Sequence, residues 1–219
     1  MIITEKFFQS KNRNGEFLNY LFFSPEKHNA KLPLIISIHG AGWRGNDLSI
    51  INLRDGNDLL MQIYKGLNLD AFVVAPQCHC DSWFELYDVL LEFIDAMRND
   101  EHNDIDRVYL TGSSMGGYTV WQLAMTKPHW FAALIPVCGG GMYWNAERLK
   151  NMPVWAFHGA LDKTVLPDES IKMISAINEN GGNAKITIFP DVSHNAWDYT
   201  YTDDVLKWMF EQKRCNNDF

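Results

Sequence analysis

A serine flanked by glycines stands at Ser114, inside the stretch Tyr109–Thr119, YLTGSSMGGYT. Gly112-Ser113-Ser114-Met115-Gly116 fits the pattern G-x-S-x-G with Ser114 at its centre. Ser113 falls outside the frame, because its flanking positions hold Thr111 and Met115. Such a pattern belongs on a tight turn between a strand and a helix, where side chains two residues either way would collide. The helix start behind the serine offers backbone N–H groups to a developing negative charge. The alternative is a Gly/Ser turn whose serine merely caps a helix.

A serine hydroxyl is a weak nucleophile until a base takes its proton. A strand–serine–helix turn of this kind draws an acid, then a histidine, from later strand ends. The apolar run Val154–His158 leads into Gly159-Ala160-Leu161-Asp162, and Lys185–Phe189 leads into Pro190-Asp191-Val192-Ser193-His194. Ser114, Asp162 and His194 therefore form a candidate triad. Asp191 and Asp198 are rival acids, but Asp191 shares the loop of His194. His28, His102 and His129 have no matching strand end. His39 and His158 each precede a glycine at a strand end, a place for bracing loops. Donors for an oxyanion are expected from the N–H of Met115 and from the loop His39-Gly40-Ala41-Gly42. Ala41 is the first choice there and Gly42 the second.

These residues need a framework that brings strand ends together. Strands are expected over Glu16–Phe23, Leu34–His39, Ala71–Ala75, Arg107–Thr111, Ala132–Val137, Val154–His158 and Lys185–Phe189. Runs this apolar suit strands covered on both faces. Helices are expected over Phe84–Met97, Ser114–Met125, Asp168–Asn178 and Asp203–Gln212, with Gly181-Gly182 ending the third. The alternation predicts an α/β fold, a mostly parallel central sheet with helices on both faces, in a single domain spanning 1–219. Ligands of such sheets bind at the carboxyl ends of the strands.

Composition narrows the partners. The 219 residues are 47% hydrophobic and carry a formal net charge of −8. A surface of that sign repels polyanions, so no nucleic-acid partner is expected. No run approaches the roughly 18 apolar residues of a membrane span, so none is expected there either. The start MIITEKFFQSKNRNGEF lacks the pattern of a secretory leader. The four cysteines, Cys78, Cys80, Cys138 and Cys215, are then expected as reduced thiols in the cytoplasm. Cys78-His79-Cys80 lacks the second ligand pair of a structural zinc site, so a plain loop is expected, with no metal and no cofactor.

The segments IHGAGWRGND, APQC, GSSMGGY, FHGALDKTVLP and VSHNAW resemble the α/β-hydrolase superfamily. Within it they are similar to the esterase/phospholipase/predicted-peptidase group, related to polyhydroxybutyrate depolymerases and to feruloyl and acetyl-xylan esterases. The resemblance implies a serine hydrolase with Ser114 as nucleophile, Asp162 as acid and His194 as base. The group acts on several ester and peptide substrates, and the ones expected here are small-acyl or carbohydrate-linked acetyl and feruloyl esters. Peptides or thioesters are the alternative, and an inert relict site the remote one. Only residues 138–153 separate two of the expected strands, which leaves no room for a cap domain. An open site results, with Trp43, Trp83 and Trp144, beside Met142 and Tyr143, as candidates to line an aromatic cleft.

Overall fold

The computed structural model describes residues 1–28, 30–49 and 57–214. Cys215 lies outside them, and the other three cysteines are free thiols. Eight strands form one sheet in the order β1-β2-β4-β3-β5-β6-β7-β8. They are β1 Ile2–Gln9, β2 Phe17–Ser24, β3 Leu32–Ile38, β4 Phe72–Pro76, β5 Asn103–Ser113, β6 Ala133–Val137, β7 Trp155–Gly159 and β8 Lys185–Phe189. β1 pairs antiparallel with β2, and β2 with β4. From β4 through β8 every pairing is parallel.

Alternation along the buried strands sends successive side chains to opposite faces. Leu34 and Ile36 of β3 pack with helices α2 (Tyr87–Arg98), α3 (Met115–Thr126) and α4 (Pro167–Glu179). Ile35, between them, packs on the other face with α1 (Leu59–Tyr64) and α6 (Asp203–Glu211). A short helix, α5 (Trp197–Thr200), follows the β8 loop. Helix α4 begins at Pro167, where a missing N–H costs nothing, with Asp168 and Glu169 in its first turn. It ends in a Schellman arrangement. The Gly182 N–H donates to the Ile177 carbonyl (3.0 Å), the Gly181 N–H donates to that of Asn178 (3.0 Å), and Gly181 sits at φ +87°.

Helices α1 and α5 fall where the sequence predicts none, and two strands run differently from the expectation. β1 falls where the sequence predicts no strand: IITEKFFQ is mostly exposed, and its strand character comes from pairing along the whole edge of β2. β5 starts four residues before the expected Arg107, because Asn103 already pairs with Leu32 of β3. No helix among the described residues is long and apolar enough to cross a membrane.

Candidate active site

The turn after β5 carries Ser114 at φ 55°, ψ −119°. A non-glycine residue rarely adopts a positive φ, and holding one costs on the order of 1–3 kcal/mol. Neighbouring contacts hold this one in place. The Ser114 N–H donates to the Val137 carbonyl on the adjacent strand (2.9 Å). A Cβ on Gly112 would lie 2.6 Å from the Ile38 carbonyl oxygen, and one on Gly116 only 2.1 Å from it. The motif's glycines thus exist because β3 passes against the turn. Gly116→Ala is expected to cost about 3 kcal/mol or more through backbone overpacking. Thermal denaturation should show this as a Tm lower by roughly 6 °C or more.

Asp162 follows β7, and its side chain is buried. Oδ1 accepts the backbone N–H groups of Thr164 (2.9 Å) and Val165 (3.0 Å). Oδ2 lies 2.7 Å from Nδ1 of His194. Burial by itself would raise the carboxyl pKa, but the bonds from His194, Val165 and Thr164 outweigh it and hold the group below its ordinary value. An ionised carboxylate only accepts, so Nδ1 of His194 carries the hydrogen and Nε2 is left as acceptor. That Nε2 stands 2.9 Å from Ser114 Oγ, the geometry for receiving the hydroxyl proton.

His194 reaches Ser114 because the β8 loop folds back over the end of β7. The Leu161 N–H donates to the Val192 carbonyl (2.9 Å). Gly159 makes this close approach possible, since a Cβ there would lie 2.1 Å from the Ser193 carbonyl oxygen. The Trp197 and His194 rings pack at near right angles, 5.4 Å between centroids. Beneath the loop, the Cys138 thiol lies 3.4 Å from the His194 carbonyl oxygen. Burial pushes that thiol up to about 12, so it stays protonated at neutral pH. Cys138, Asp162 and His194 cluster closely enough for metal ligands, but the Asp162–His194 hydrogen bond already accounts for the closeness.

The rival acids point elsewhere. Asp191 is exposed, and Asp198 accepts from the Asn57 N–H (2.8 Å) and the Asn195 amide (3.0 Å). Ala41 opens a single 3-10 turn, Ala41–Trp43, after β3. A Cβ on the preceding Gly40 would lie 3.3 Å from Ser114 Cβ, which sets this loop beside the serine. Neither the Ala41 nor the Met115 N–H is held by a backbone acceptor among the described residues.

The aromatic candidates need correction. Trp43 and Trp83 are both buried, and of the two Trp43 lines a small cavity beside His39 and Ser113. They pack around His39, Trp43 stacked at 6.0 Å and Trp83 tilted at 4.9 Å. The Trp83 indole N–H donates to the His39 carbonyl (3.0 Å). His39 Nε2 accepts the Cys78 N–H (2.9 Å), and Nδ1–H donates to the Gly40 carbonyl (2.7 Å). Their indoles brace the loop before Ala41. The Trp83 ring satisfies its one polar atom on the His39 carbonyl and buries the rest. Trp83→Phe leaves the His39 carbonyl without this donor and is expected to cost about 1–2 kcal/mol. A Tm lower by a few degrees with KM unchanged is the expected readout. Trp144, by contrast, is 73% exposed on a 3-10 segment, Tyr143–Leu149, after β6. Tyr143 packs edge-on to it at 5.4 Å.

Sheet order, crossovers and the serine on the turn after β5 define the α/β-hydrolase class. The chain matches the dienelactone hydrolase family over residues 81–201 and belongs to that family. Its sequence is 25% identical over 187 residues to poly(3-hydroxyalkanoate) depolymerase C of Paucimonas lemoignei, covering 78% of this chain and 42% of that protein. It is similar in structure to a thermostable esterase, with TM-score 0.81, 29% identity, and 97% and 63% of the two chains covered. Est1E from Butyrivibrio proteoclasticus shares the fold, with TM-score 0.71, 16% identity, and 94% and 98% covered. The chain spans less than half of the depolymerase and under two thirds of the thermostable esterase.

Proposed function

We propose that this chain is a serine hydrolase of carboxylic esters. The observation that carries the reading is the unbroken relay from Ser114 Oγ through His194 to Asp162, 2.9 Å and then 2.7 Å. Ser114 Oγ attacks the acyl carbon while Nε2 of His194 takes its proton, and Asp162 holds the resulting imidazolium. The amides of Met115 and Ala41 receive the oxyanion; one such donor is typically worth about 3 kcal/mol in the transition state. Collapse expels the alcohol, which takes the proton from His194. Water then gives a proton to His194 and attacks the acyl-enzyme, and collapse releases the acid as Ser114 Oγ takes that proton back from His194.

The proposed substrates are small-acyl or carbohydrate-linked esters. The short β6–β7 connection and exposed Trp144 favour an open site in which an aromatic face meets a sugar or phenolic ring. The similarity to a thermostable esterase and to poly(3-hydroxyalkanoate) depolymerase C supports the ester reading, and the similarity to dipeptidyl-peptidase 5 keeps a peptide substrate as the alternative. A cytoplasmic location belongs to the same proposal, on the ground that the three described cysteines are free. The test compares p-nitrophenyl acetate, butyrate and ferulate esters with peptide anilides and acyl-thioesters, alongside labelling by a fluorophosphonate. Ester turnover with labelling is expected; turnover of anilides or thioesters alone would assign the machinery to those substrates instead.

A further inference from the structure

A second imidazole approaches the same carboxylate. His158, at the end of β7, is fully buried. Its Nε2 lies 2.9 Å from the Val165 carbonyl oxygen and 3.2 Å from Asp162 Oδ2. Both atoms only accept, so Nε2 carries a hydrogen. On the other side, Nδ1 lies 2.8 Å from Ser170 Oγ, which is itself 2.7 Å from the Gly139 carbonyl oxygen. Ser170, on α4, is fully buried too. A polar network therefore runs from the β6 end through α4 and β7 to the triad.

An imidazole in an apolar core is costly unless its nitrogens are bonded, and an aliphatic residue would pack there without that cost. Its placement needs a reason, and the carboxylate supplies one. The terminal torsion of an aspartate is soft. The amides of Thr164 and Val165 hold Oδ1. Oδ2 accepts from Nδ1 of His194, and His158 Nε2 lies 3.2 Å from it while bonded to the Val165 carbonyl oxygen. His194 cannot both depend on the aim of Oδ2 and set it.

We propose that His158 is a positioning residue, which acts through Asp162 and is itself held by Ser170. Its Nε2–H ties to the end of β7 the Val165 turn, whose N–H holds Asp162 Oδ1, and its ring, 3.2 Å from Oδ2, limits the swing of the carboxylate. Oδ2 then meets Nδ1 of His194 in line before substrate arrives. This rests on the triad reading above.

Two substitutions separate positioning from packing. The amide nitrogen of glutamine reaches about as far as Nε2, whereas that of asparagine stops near the place of Nδ1. His158→Asn is expected to lower kcat for p-nitrophenyl acetate roughly 30- to 100-fold, with KM within about two-fold, since misplacement by an ångström costs on this scale. His158→Gln should keep kcat within about five-fold. Full kcat in folded His158→Asn would overturn the proposal, as would equal losses in both variants. If His158→Asn does not fold, Ser170→Ala decides, with kcat expected to fall about 3- to 10-fold at constant KM and an unchanged kcat overturning the proposal. Ser114→Ala runs alongside. If it keeps turnover, the triad reading fails and the positioning role with it. If it is inactive while His158→Asn is fully active, only the positioning role fails.

Discussion

Ser114→Ala is expected to lower ester turnover by roughly 10⁵- to 10⁶-fold and to abolish fluorophosphonate labelling, since a triad acts as a unit and loses nearly everything with its nucleophile. The fold should survive. The positive φ of Ser114 is imposed by the Ser114–Val137 bond and by the closeness of Ile38 to Gly112 and Gly116, none of which involves the hydroxyl. Circular dichroism and Tm should therefore match the parent protein. Turnover retained at the parent rate would remove the nucleophile assignment, and with it the mechanism.

Asp162→Asn should cost about 10⁴-fold in kcat, for a reason visible in the hydrogen bonds. Oδ1 faces two backbone N–H groups, so an asparagine must turn its oxygen toward them. Its NH₂ then points at His194, where Nδ1 now presents a hydrogen. The imidazole can answer only by moving that hydrogen to Nε2, and an Nε2–H cannot accept the serine proton. The loss should appear in kcat, with labelling slowed in parallel. A loss below ten-fold would show that the carboxylate does not set the tautomer. The carboxyl's depressed pKa gives a linked expectation. Its contribution to stability is full above the unfolded value near 3.8 and is lost as pH falls through the lower folded one, so the parent's advantage over the asparagine variant should shrink in strong acid.

Much of the candidate site is legible in the sequence because each residue of the proposed triad lies just past an apolar run that ends at the sheet rim. Ser114, Asp162 and His194 follow β5, β7 and β8, and residues at strand ends can be located from pattern alone. The two buried tryptophans depart from the expectation because sequence shows an aromatic near a site but not the direction it faces. Trp43 and Trp83 turn inward onto His39, whereas Trp144 turns outward, and nothing local distinguishes them. Cys138 and Trp197 carried no signal at all, because they meet His194 only through the fold-back of its loop.

The order of chemical groups, the alternation of strand and helix, and the glycines that permit a sharp turn are properties of neighbouring residues, so the linear chain determines them. The aim of each side chain is different. His158 precedes a glycine at a strand end just as His39 does, yet one faces the Asp162 carboxylate and the other the loop before Ala41. Which partner each ring meets depends on strands far apart in the chain arriving side by side. Sheet register and loop crossing are long-range contacts that local pattern does not encode, and only the tertiary structure decides them.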